Sequence, residues 1–205
     1  NADGFSEGGS VGNSSSSIDV WTLSLVAAGI LVGLTLDGAE GAIIERAVHV
    51  LRPAGESTAT ARAAVKAAFA HVTLGAGVGL REAAAIDNYA SHDVLAARRA
   101  EDEKDDWSAI TVEDVNLHSA SPAFFDAEAM RFHLPAYMIA DLDGCYRHEF
   151  VPHLRGRPEK FALLNDAQRR AVELYLHALL QRNYPPSYQT DVEQALEEWR
   201  QAADR

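Results

Sequence analysis

The chain has 205 residues, 47% of them apolar, and a formal net charge of −12. That length suits one core-forming domain plus an extension. The acidic balance excludes nucleic-acid binding as a leading reading, because phosphate contacts need clustered Lys and Arg. The single cysteine, Cys145, rules out an intrachain disulfide framework. It fits a reducing compartment and hence a cytoplasmic location. A chain that begins at Asn1 is expected to be a fragment or a processed product.

Residues 1–17 are rich in Gly and Ser and read as a linker. Val20 to Leu36 carries no charge and contains Gly29 and Gly33 in a GxxxG pair, which approaches the signature of a membrane span. No Lys or Arg precedes Arg46, so the positive flank of a span or signal peptide is missing. A membrane is therefore not expected, and 18–36 would be its only attachment. Ala39 to Leu51 reads as a helix ended by Arg52-Pro53-Ala54-Gly55. The spacing predicts two parts: an extension over 1–57 that is not clearly a domain, and a helical domain over 58–205.

From Thr58, Ala61, Ala64, Val65, Ala68, Phe69 and Val72 mark one helical face. The run Leu74-Gly75-Ala76-Gly77-Val78-Gly79 reads as its C-cap and turn rather than a phosphate-binding loop. A second helix is expected from Leu80 to Tyr89. A third, capped by Ser91, is expected to run toward Trp107, with Glu101 to Asp106 as a solvated acidic end. That run holds five carboxylates, but they point in different directions along a helix and cannot converge on a cation. Thr111 and Asp114 suggest a capping box.

Phe124 to Leu142, FFDAEAMRFHLPAYMIADL, is the organising stretch. Asp126 is placed as its N-cap, with Phe125 and Met130 as a hydrophobic staple. Apolar residues surround nearly its whole circumference, and Pro135 is expected to kink it. Arg131 and His133 are embedded in this run. The expectation is that Arg131 pairs with Glu128 at i+3 and that His133 donates to a carbonyl freed by the proline. Arg147 to Lys160 is locally basic and is expected to lie over the central helix as a loop. It carries a secondary reading as an anion contact. Asn165 and Gln168 cap the next helix, and Thr190 with Glu193 suggests a capping box opening the last one.

The segments AFAHVTLGAGVGLREAAAIDNYAS, DEKDDW and FFDAEAMRFHLPAYMIADL resemble a bacterial domain family of unknown function. The resemblance covers roughly Thr58 to Arg182, and its most specific part is the contiguous run Phe132 to Tyr137. It implies no activity, cofactor or site residue.

The expected fold is mainly α: a compact multi-helix domain around a central, buried, proline-kinked helix. HExxH, GxSxG and paired CxxC motifs are absent. No catalytic residue, metal ligand or cofactor is assigned. Trp107, His118, Arg131 and His133 are the candidate binding residues. The leading functional reading is a helical protein-interaction or regulatory module, with oligomeric state open. One alternative is an enzyme with a small polar pocket near Arg131, His133 and His118. The other is a domain tethered to a membrane through 18–36.

Overall fold

The computed structural model describes residues 54–203. The expected linker, the apolar run over 18–36 and the expected helix over 39–51 lie outside the described residues. Seven α-helices make up the described part, with no strand: α1 (Ala54–Ala68), α2 (Leu80–Asp87), α3 (His92–Glu101), α4 (Val112–Leu117), α5 (Ala127–Leu142), α6 (Asp166–Leu180) and α7 (Pro186–Ala203). Short 3₁₀ turns at Trp107–Ala109, Ser121–Phe124, Val151–Leu154 and Pro158–Phe161 join them. No described helix is long and apolar enough to cross a membrane. The mainly helical expectation is met.

α5 is the axis of the domain. Twelve of its residues are buried, including Phe132, Leu134, Tyr137 and Met138. Asp126 is its N-cap and accepts from the Ala129 amide at 2.8 Å. Phe125 and Met130 are both buried beside it, as a staple requires. The helix continues through Pro135, whose ring is buried. The proline removes the amide that would have bonded the Arg131 carbonyl. Tertiary packing, which supplies most helix stability in proteins, carries α5 across the missing rung.

α5 packs against α1, α4, α6 and two of the 3₁₀ turns, while α1 and α6 form the most extensive helix pair and α6 leads on to α7. The last carbonyls of α1 are satisfied from a distance. Trp107 Nε1 donates to the Phe69 carbonyl at 2.7 Å, and Gln168 donates to that of Ala68 at 3.2 Å. At the other end of the axis, Arg182 donates to the Asp141 and Leu142 carbonyls that α5 leaves open at its C-terminus.

Several boundaries differ from the sequence reading. α1 begins at Ala54 and ends at Ala68, so the glycines of residues 75–79 are not its C-cap. Gly77 lies against the N-terminal turn of α5: a Cβ there would come within 2.5 Å of the Ala129 nitrogen. Gly79 is the N-cap of α2, but the capping oxygen comes from elsewhere. Asp102 places its carboxylate where a Gly79 side chain would stand, and accepts from the Arg81 and Glu82 amides at 2.7 and 3.2 Å. α3 therefore stops at Glu101 instead of running to Trp107, and one residue of the supposedly solvated acidic run is buried. α7 starts at Pro186, so Thr190 is interior to it. Its hydroxyl donates back to the Pro186 carbonyl at 3.0 Å rather than opening a capping box. The Thr111–Asp114 and Asn165–Gln168 boxes form as expected.

α3 is unusual in burying no residue. The turn before it holds Tyr89 at φ 54°, with its side chain 96% exposed. The left-handed region costs a residue with a Cβ about 1–2 kcal/mol.

Candidate functional site

The four candidates from the sequence do not assemble into one site. Trp107 is buried, and its indole nitrogen is committed to the Phe69 carbonyl, just past the end of α1. His118 ends α4. Its backbone carbonyl accepts from the Tyr137 hydroxyl at 2.7 Å, and its half-buried ring titrates below the usual range because of burial and then the nearby Arg81. His133 is 1% exposed, stacked on Phe125 with ring centroids 4.5 Å apart and edge-on to Phe132. Burial holds its pKa down to about 4, so the ring is neutral at pH 7. Its Nδ1 meets the Ala129 carbonyl at 2.8 Å. That acceptor sits one turn below His133, and the carbonyl freed by Pro135 belongs to Arg131. The Nε2 of His133 is buried without a partner.

Arg131 is half-buried, and among the described residues no ion pair joins it to Glu128. Glu128 instead approaches the glycine turn, with its Oε2 3.5 Å from the Cβ position of Gly75. The described residues contain no group of side chains arranged to hold a metal ion.

Two clefts stand out on the surface of the described residues, and neither is lined by His118, Arg131 or His133. The smaller, about 170 Å³, lies between Trp107, α4 and the outer face of α5, with Lys66 and Asp143 at its edge. Asp143 is already paired with Arg62.

The larger cleft, about 350 Å³, falls within the usual range for ligand sites. The basic loop builds one wall and α7 the other. Leu154 and Phe161 come from the two 3₁₀ turns, each opened by a proline, and Trp199 comes from α7. Trp199 Nε1 donates to the Leu154 carbonyl at 3.1 Å, and its ring meets Phe161 edge-on at 5.0 Å. These contacts fix an apolar floor. Three charged residues line it: Arg157, Arg169 and Glu198. Glu198 is engaged, accepting from Arg155 Nε and from the Gly156 amide, both at 3.1 Å. Arg169 rests its guanidinium against the Phe161 carbonyl at 3.0 Å. Arg157 is exposed. Neither Arg157 nor Arg169 has a carboxylate partner among the described residues, a state they share with Arg131, Arg147, Arg182 and Arg200 outside the cleft, whereas Arg62, Arg81, Arg98, Arg99, Arg155 and Arg170 each have one.

A family of unknown function, DUF6714, matches residues 59–203. The chain belongs to this family. Its match runs through α7, well past Arg182 where the resemblance read from sequence ended, so both walls of the larger cleft lie within the DUF6714 region. No curated protein and no solved structure matches the chain.

The cleft residues were not among the candidates, although their signals were present. Arg155, Arg157 and Lys160 marked the loop as locally basic. What the sequence withheld is how that charge is divided. Lys160 is buried, donating to the Pro122 and Ala123 carbonyls at 2.7 and 2.8 Å. Arg155 is bound to Asp191 and Glu198. Arg157 is left facing the cleft, joined by Arg169 from α6.

Proposed function

We propose that this chain is a helical protein-interaction module and that the cleft between α7 and the basic loop is its recognition site. One observation carries the reading: two guanidiniums without carboxylate partners border an aromatic and aliphatic floor, on a chain that is otherwise strongly acidic. Arg and aromatic residues are the types enriched where proteins bind one another. The exposed, unpaired Cys145 is in keeping with a reducing, cytoplasmic setting. Trp107 and His133 serve this reading as parts of the frame rather than as contacts.

Selection of a random peptide library on the full chain tests the reading. Enriched peptides should lose binding when the cleft is plugged by Gln201→Trp, since Gln201 is an exposed residue lining it. Enrichment that the plug leaves intact would place recognition elsewhere and overturn the assignment.

A further inference from the structure

We propose that the occupant of this cleft is an acidic segment of another protein that presents a large apolar side chain between its carboxylates. The inference rests on the interaction-module reading and adds the chemistry of the partner. The argument is one of complementarity. The floor formed by Leu154, Phe161 and Trp199 accepts an aromatic or branched aliphatic group. A ligand with no charge would leave Arg157 and Arg169 beside it without counter-charge. A basic ligand would meet two cations of like sign and only one carboxylate, and Glu198 is already held by Arg155 and the Gly156 amide. An acidic segment satisfies both guanidiniums, and Arg169, steadied by the Phe161 carbonyl, keeps further N–H donors for a carboxylate.

The rest of the surface sharpens the choice. Of the other described arginines, six are paired with carboxylates of the same chain, and the remaining four, Arg131, Arg147, Arg182 and Arg200, lie outside the cleft lining. The chain as a whole carries a net charge of −12, which disfavours acidic partners in general, whereas the cleft lining holds two cations to one carboxylate and admits them here. Exposed residues, among them Arg157, Pro158 and Gln201, form part of the lining, so the cleft is open for a chain to lie along it.

Fluorescence anisotropy on the full chain provides the test. The probe is a short fluorescein-labelled peptide of glutamates around a single phenylalanine. Companion peptides carry serine for the phenylalanine, lysine for the glutamates, or glutamine for the glutamates, and oleate serves as a non-peptide anion. The acidic phenylalanine peptide should bind, and added salt should weaken it. Arg157→Glu should weaken it about tenfold or more, and Arg157→Lys should retain most of the affinity. Arg147→Glu, the same charge change at an exposed arginine outside the cleft, should have little effect. Equal or tighter binding of the lysine or glutamine peptide, abolished by Gln201→Trp, would overturn the acidic partner while leaving the cleft as a peptide site. Binding of oleate alone, or peptide binding indifferent to both Arg157→Glu and Gln201→Trp, would overturn the partner and the site together.

Discussion

His133 stacks its ring on Phe125 with one nitrogen on the Ala129 carbonyl and the other without a partner. Protonation would put a charge where water cannot follow, so the folded-state pKa falls from 6.5 to about 4. Above pH 6.5 the group is neutral in both states and contributes no pH dependence. Between 6.5 and 4 the unfolded chain takes up a proton that the folded chain refuses, and stability falls with pH. The full loss is roughly 3 kcal/mol. Urea titrations of the native protein and of His133→Phe across this window should diverge by that order, with the variant missing the acid-side loss. Parallel curves would show that the ring is not the titrating group. Sequence inspection singled out His133, because a polar ring inside an apolar run is visible in one dimension. It gave the wrong acceptor, because the acceptor depends on rotamer and packing. The glycines teach the same lesson. Gly77 and Gly79 were conspicuous as a pattern, but their reasons, an Ala129 amide and an Asp102 carboxylate, stand far off in the chain.

Apolar periodicity identified the faces of the helices well, because burial of a stripe is what gives a helix its place in the fold. Helix ends were legible only where the cap is local. Thr111 and Asn165 cap their own helices and were read correctly, whereas α2 borrows its cap from Asp102 and α7 starts without the Thr190–Glu193 box. The contrast between α3 and α5 was not legible, since Val94, Leu95 and Ala97 look as apolar as many buried positions. In the fold α3 rests mainly on α2 and buries nothing, while α5 is enclosed on nearly every side. Amide exchange should separate them. The α3 amides should open locally and exchange fast, and those in the middle of α5 should exchange only with global unfolding. Protection in α3 within about tenfold of that in α5 would mean that α3 is held by contacts absent from this arrangement.

The described helices share one hydrophobic core, and the segment Arg52–Arg205 forms a compact unit by its own contacts. We expect residues 52–205, expressed without the preceding segment, to fold alone. Circular dichroism should show a helical spectrum and a single cooperative thermal transition, and a broad or absent transition would refute this. At this scale the mainly α architecture was readable from patterning, and the cleft was not. Its walls come from residues 154–169 and 198–202, and only three-dimensional closure reveals that Arg155 is consumed while Arg157 is left over.

The pairing of α1 with α6 also bears on how the chain is made. Gln168 closes the C-terminal end of α1 across 100 residues of sequence. At about 5–20 residues per second, synthesis leaves α1 waiting on the order of 5–20 s for the helix that covers it. During that interval the Val65 and Phe69 stripe, wholly buried in the finished fold, has no α6 to rest on. Nascent chains stalled before Asp166 should therefore be clients for ribosome-associated chaperones, and chains stalled after α7 should not.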